Sequence, residues 1–206
     1  VALEIEAKFA VSHLGEIRQR LLDQSARLIS DRVLERNWRF DDEAGNLTSE
    51  GKVLRLRQDH RGSLTFKEPG GDPHIRTELE FEVGEPEKAR QFLESLGYQV
   101  IFIYEKYRET YALEPCAIML DELPFGQFVE IEGASIEAVQ QTGRQLGLPW
   151  RLRLTMSYAD VFKHWLDLND SHLRDATFAA FRDQGRVLPS DLDLPDALAT
   201  LPAESD

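Results

Sequence analysis

Charged and apolar residues alternate along one segment after another of this chain, and that alternation limits its fold more than any other feature. The segment Leu3-Glu4-Ile5-Glu6-Ala7-Lys8-Phe9 sets the pattern. Strand side chains point alternately to two faces, so Glu4, Glu6 and Lys8 share one face and Leu3, Ile5, Ala7 and Phe9 share the other. The same row returns at Arg55 and Arg57, at Arg76, Glu78, Glu80 and Glu82, at Lys106 and Arg108, and at Glu130 and Glu132. A single row of this kind is an ordinary solvated face, or a set of cross-strand ion pairs. Recurrence on five or six strands, each backed by an apolar row, indicates strands that face one another across a shared charged surface.

Eight segments carry strand signals: 2–11, 32–42, 53–60, 63–69, 75–83, 99–113, 117–123 and 126–133. Arg61-Gly62 and Pro124-Phe125-Gly126 are short enough to make hairpins, and Gly70-Gly71-Asp72-Pro73 is a further turn. Successive antiparallel hairpins make a meander, and closing it into a barrel would remove its edges. Helical patterns cover 12–28 (with Ser12 as N-cap and Leu28 on the apolar face), 86–96, 136–146 and 158–168. The expected fold is therefore α+β, an eight-stranded antiparallel closed β-barrel with amphipathic helices packed outside. The apolar strand face would then look outward to the helices, and the charged face inward. Residues 1–164 would form this domain. Residues 165–206 would form an acidic C-terminal extension, with a helix over 171–185 and then a loosely ordered tail with Leu192, Leu194, Leu198 and Leu201 as its packing side chains.

Composition narrows the partners. The net charge of −13 over 206 residues excludes non-specific binding to nucleic acid or to an anionic membrane. The extension holds nine acidic and three basic residues, so the remainder is far closer to balance and can hold an anion site. No apolar run approaches the roughly 20 residues that span a bilayer. The single cysteine, Cys116, allows no intrachain disulfide, which favours the cytoplasm. The five histidines show no metal-ligand spacing.

The rows themselves carry the chemistry. Lys8, Arg55, Arg57, Lys67, Arg76, Lys106 and Arg108 facing one cavity would bind a multivalent anion, with arginine forks suited to phosphate oxygens. Carboxylates at Glu4, Glu6, Glu78, Glu80, Glu130 and Glu132, with Asp121 as a candidate, would repel such an anion. They become useful once some of them hold Mg²⁺ or Mn²⁺.

These residues resemble the CYTH superfamily, the triphosphate tunnel metalloenzymes. Glu4-x-Glu6-x-Lys8 is similar to its ExExK signature, Leu54-Arg55-Leu56-Arg57 to its paired-arginine strand, and Thr65-Phe66-Lys67 to the following lysine strand. Arg76-x-Glu78-x-Glu80, Lys106-x-Arg108, Asp121, the run Gly126 to Gly133, and Ser157-Tyr158 continue the match in order over about residues 2–164. The resemblance implies a tunnel of eight strands, open at both ends, that binds a triphosphate. It implies metal ligands among Glu4, Glu6, Glu130 and Glu132, with Glu78, Glu80 and Asp121 as further candidates. It also implies phosphate contacts from Lys8, Arg55, Arg57, Lys67, Arg76, Lys106 and Arg108. Arg153 is a candidate for the cation that relatives carry near the last helix. Tyr104, Tyr107 and Tyr111 read as packing residues.

The leading expectation is metal-dependent hydrolysis of inorganic tripolyphosphate or another small triphosphate, with Glu4, Glu6, Lys8, Glu130 and Glu132 at the reacting centre. Thiamine triphosphate is a further substrate option. The alternatives are a class IV adenylyl cyclase making cyclic AMP and pyrophosphate from ATP, and a non-catalytic polyphosphate- or nucleotide-binding module. Sequence leaves open whether the chain forms a homodimer.

Overall fold

The computed structural model describes residues 2–70 and 75–199, and only the backbone of residues 2–4 and 75. The turn expected at 70–73 and the last seven residues of the tail lie largely outside these. Eight strands form one antiparallel sheet: β1 (Ala2–Val11), β2 (Arg27–Asp41), β3 (Val53–Gln58), β4 (Gly62–Pro69), β5 (Ile75–Val83), β6 (Gln99–Leu113), β7 (Cys116–Leu123) and β8 (Gly126–Gly133). Their order in the sheet is β1-β5-β4-β3-β2-β6-β7-β8. Strand β1 divides its pairing, with Ala2–Ile5 on β5 and Ile5–Val11 on β8. The helices are α1 (Leu14–Asp23), α2 (Asn46–Ser49), α3 (Pro86–Ser95), α4 (Ile136–Gln145) and α5 (Tyr158–Leu168).

The apolar rows of the strands do face the helices. Ala7, Phe9 and Val11 of β1 join Ile118 and Leu120 of β7, Val129 and Ile131 of β8, Ile17 and Leu21 of α1 and Val139 of α4 in one core. A smaller core packs Leu93 of α3 on Phe40, Leu54 and Leu56. Helix α4 comes close to the sheet at Gly143, where a Cβ would lie 3.8 Å from Ile131 Cδ1 of β8 and 3.3 Å from the Leu148 carbonyl oxygen. The hydroxyl of Ser135 caps α4, accepting from the Ala138 amide, and Ser157 and Asp160 form a reciprocal capping box on α5.

Part of the inner face is packed rather than open. Ala10, Phe102, Leu123 and Phe128 cluster with Tyr158, Phe162 and Trp165 of α5, and with Phe125 and Phe181. They lie on the same strand faces as the charged rows, two positions beyond Lys8, Tyr104, Asp121 and Glu130. The resemblance implied a passage open at both ends; here aromatic side chains fill one stretch of it.

Three sequence expectations change. Helix α1 ends at Asp23 because Ser25 adopts φ 57°, so Leu28 belongs to β2 and is exposed. Its N-cap is His13 rather than Ser12, and no side chain caps it. No helix forms over 171–185. Ala176 instead pairs with β6, its amide donating to the Ile103 carbonyl and its carbonyl accepting from the Glu105 amide. Asp175 accepts from the Ile103 amide at 2.8 Å. This stretch of β6 lies beyond the end of its ladder with β7, and the extension satisfies backbone groups left there. The tail, too, is held as far as it is described: Leu192 is buried and the Ala197 amide donates to the Ala10 carbonyl.

Phe9 is fully buried at the centre of the outer core. Phe9→Ala is expected to cost about 3–5 kcal/mol of unfolding free energy, measured by urea denaturation. A loss near zero would mean that α1 and α4 do not clamp β1.

Candidate functional site

The inner face of the sheet surrounds a cavity of about 540 Å³. Its lining among the described residues includes eight cations, Lys8, Arg39, Arg55, Arg57, Lys67, Arg76, Lys106 and Arg108. Five carboxylates accompany them, Glu6, Glu78, Glu80, Glu130 and Glu132. The residues Leu154 to Ala159, which lead into α5, border it as well. The sequence-predicted rows thus converge.

One wall is a hydrogen-bonded network centred on Asp121, which is fully buried. Arg108 donates from Nε to Oδ1 at 2.6 Å, Lys106 lies 3.0 Å from Oδ2, and the Tyr158 hydroxyl donates to Oδ2 at 2.7 Å. Arg108 also pairs with Glu130, whose other oxygen lies 3.2 Å from the Lys8 ammonium. Lys8 sits 4.2 Å above the centre of the Tyr158 ring, a cation–π contact. Burial would lift the Glu130 carboxyl, but Lys8, Arg108 and Lys106 hold it well below the usual carboxylate range. Burial would lower the Lys8 ammonium, yet Glu130 and Glu6 outweigh it and raise its pKa. Glu35, 3.6 Å from Lys106, behaves as Glu130 does: burial pushes it up, and Lys106, Arg108, Arg57 and Arg55 pull it down to about 2.

The opposite wall is a ladder of cross-strand ion pairs. Arg57 meets Glu80 at 3.1 Å, Arg55 meets the same carboxylate at 3.6 Å, and Lys67 meets Glu78 at 3.4 Å. The Thr65 hydroxyl donates to Glu80 at 2.6 Å. Burial opposes ionisation of Glu80, but Thr65, Arg57, Arg55 and Lys67 overcome it and lower its pKa.

Glu78, Glu80, Glu130 and Asp121 all neutralise cations. The oxygens of Asp121 are occupied by Arg108, Lys106 and Tyr158, which suits an orienting role rather than metal ligation. Glu6 and Glu132 stand directly opposite each other on β1 and β8. Like charges in that position repel, and a facing carboxylate pair is chemically suited to Mg²⁺ or Mn²⁺, which take carboxylate oxygens together with waters and phosphate oxygens. Among the described residues no three carboxylate, histidine or cysteine side chains form a ready-made cage. The Glu4 side chain, expected beside them, lies outside the described residues.

Arg153 does not reach the cavity. A 3₁₀ turn over Trp150–Leu152 directs its guanidinium onto the Trp150 ring, 4.5 Å from the centre, and Nη1 donates to the Trp150 carbonyl at 3.1 Å. Leu154, bridged to Lys8, lines the cavity instead. Sequence reasoning also missed several inner residues. Glu35, Asn37 and Arg39 face inward from β2, opposite Lys106, Tyr104 and Phe102. Tyr104 and Tyr158 line the cavity, whereas Tyr104 was expected only to pack. The alternation Glu35-x-Asn37-x-Arg39 against Trp38 and Phe40 was the available signal.

The model of the CYTH domain matches residues 2–154. The chain belongs to the CYTH family. A Methanocaldococcus jannaschii protein provisionally named an adenylate cyclase is 26% identical over 142 residues, 63% of this chain and 76% of that protein. The solved structure of a Vibrio parahaemolyticus protein, also provisionally named an adenylate cyclase, superposes with a TM-score of 0.72 at 23% identity. It covers 78% of this chain and 98% of its own. A Hippeastrum protein, provisionally named an adenylyl cyclase and described as having a dominant triphosphatase activity, has a TM-score of 0.52 at 21% identity. That match covers 93% of this chain and 100% of its own. These structural likenesses establish that this CYTH chain shares their fold. No helix among the described residues is long and apolar enough to cross a membrane.

The Glu35 carboxyl, held at about 2 against an ordinary 4.5, links this network to pH. Because the folded value is depressed, its contribution is complete above pH 4.5 and declines as pH falls toward 2. Urea unfolding of the wild type should weaken across that window, and Glu35→Gln should flatten the dependence. Identical slopes for the two proteins would remove Glu35 from the network.

Proposed function

We propose that this chain is a divalent-metal-dependent triphosphatase that hydrolyses inorganic tripolyphosphate or another small triphosphate. The supporting observation is a cavity in which cations outnumber carboxylates, inside a chain of net charge −13, with Glu6 and Glu132 side by side in it. We also read the curled sheet as a closed barrel, supported by the pairing of β1 with both β5 and β8. Residues 1–164 would be the tunnel domain and 165–206 an extension that braces it.

In this reading Lys8, Arg55, Arg57, Lys67, Arg76, Lys106 and Arg108 hold phosphoryl oxygens, the arginines through two-pronged contacts. Lys8 stays an ammonium, so it donates hydrogen bonds and charge and does not act as a base. Glu130 stays ionised and fixes Lys8 and Arg108. Asp121 fixes Arg108, Lys106 and Tyr158. Glu6 and Glu132, joined by Glu4, hold Mg²⁺ or Mn²⁺, consistent with the general metal dependence of CYTH proteins. When bound, the metal would neutralise phosphoryl charge and help to lower the pKa of an attacking water.

Adenylyl cyclase activity is the second reading, favoured by the names given to the Methanocaldococcus and Vibrio relatives. The dominant triphosphatase activity described for the Hippeastrum protein, which has this fold, supports the first. Product analysis separates them. Purified protein with Mg²⁺ or Mn²⁺ should release phosphate from tripolyphosphate, with Lys8→Ala lowering kcat by about 10²–10³-fold and Glu6→Gln removing the metal response. Cyclic AMP from ATP without tripolyphosphate turnover would replace the first reading with the second. Tight triphosphate binding without any product would leave a binding module.

A further inference from the structure

Arg39 is a cavity cation that the ion-pair ladders described above leave out. It lines the cavity, yet among the described residues it makes no hydrogen bond and no ion pair, and its Nε is buried without a partner. Directly opposite it on β3 stands Arg55, whose Nε is likewise buried and unpartnered. Two guanidinium groups facing each other across neighbouring strands repel, and an orphaned buried donor is costly to keep. Asn37, two positions before Arg39 on the same face, is wholly buried with neither amide atom hydrogen-bonded. Asp160 is the carboxylate that acts electrostatically on Arg39 from α5, but it serves the capping box with Ser157. Burial lowers the Arg39 pKa from its ordinary value.

What lies behind this pair determines what it can hold. Arg39 is opposite Phe102 on β6, and Phe102 stacks on Tyr104 and on Phe162 of α5 at 5.5 and 5.3 Å between ring centres. Arg55 reaches the Tyr104 hydroxyl at 3.4 Å. The pair therefore backs onto the aromatic packing that fills this stretch of the interior. Phe102, Tyr104 and Phe162 occupy the interior on that side, so the pair faces the cavity from beside an aromatic wall.

Building on the triphosphate-binding reading, we infer that Arg39 and Arg55 form a subsite for the free terminal phosphoryl group of the bound chain. Any organic part of the ligand lies away from it, toward the open cavity. Arg39 thus becomes a specificity-determining residue that requires an unesterified chain end.

Binding and unfolding measurements test this without relying on turnover. The probes are linear tripolyphosphate, ATP, and cyclic trimetaphosphate, which has three phosphoryl groups but no chain end. Arg39→Gln should weaken tripolyphosphate and ATP by about 10–100-fold, the range expected for lost hydrogen bonds to a charged group. Trimetaphosphate affinity should not change, and Arg39→Lys should recover part of the loss. Removing a half-buried cation whose Nε has no partner should also raise the melting temperature of the ligand-free protein, whereas a purely structural arginine would lower it. Unchanged tripolyphosphate affinity, an equal loss for trimetaphosphate, or no binding of tripolyphosphate by the wild type would each overturn the subsite. Wild-type binding without hydrolysis would defeat the enzymatic reading and leave the Arg39 comparison decisive.

Discussion

The structure depends on how a buried cationic surface is kept from repelling itself. Asp121 is the centre of that solution. It is inaccessible to solvent and accepts from Arg108, Lys106 and Tyr158 together. Charges removed from water are costly unless paired and hydrogen-bonded, and here the pairing runs on through Glu130 to Lys8 and through Lys106 to Glu35. Removing one member would strand the others. The network therefore fixes the directions of three cations before any ligand arrives, which reduces the reorganisation that binding requires.

The same residues explain why the sheet is built inside out. A sheet with one charged and one apolar face normally turns the charged face to water. In this chain the helices supply cover for the apolar face, with α1 and α4 over β1, β7 and β8 and α3 over β3. The charged faces are then left to line the interior. Helix α5 behaves differently, because its aromatic side chains pack against inner-face residues as well. The described part of the C-terminal extension secures this arrangement by hydrogen-bonding to β6 and β1.

Much of the fold could be read from strict alternation. Lys8, Arg55, Arg57, Lys67, Arg76, Lys106 and Arg108 all line the cavity because period-two patterning leaves a strand little freedom once its other face is buried. The strand at 32–42 was expected, but its inward residues escaped because β2 is charged on both faces: Arg36 is outside while Glu35 and Arg39 are inside. Its early start was hidden by Leu28, whose spacing suits a helix until Ser25 ends α1. Arg153 misled because a cation near the last helix carries no information on whether a neighbouring tryptophan will hold it. Tyr158 and Asp121 are single residues whose roles arise only from long-range packing. The supposed helix at 171–185 had an apolar stripe, but unmet backbone groups on β6 captured the segment instead.

The central claim is that the inner face binds a triphosphate and a divalent metal together, with the metal at the Glu6–Glu132 pair. Anomalous diffraction at the manganese edge, from crystals grown with Mn²⁺ and tripolyphosphate, tests it most directly. The account expects a manganese peak within coordinating distance of Glu6 and Glu132, bridged to phosphate density that extends along the arginine rows. Manganese only at surface carboxylates, with no phosphate density inside the sheet, would contradict it.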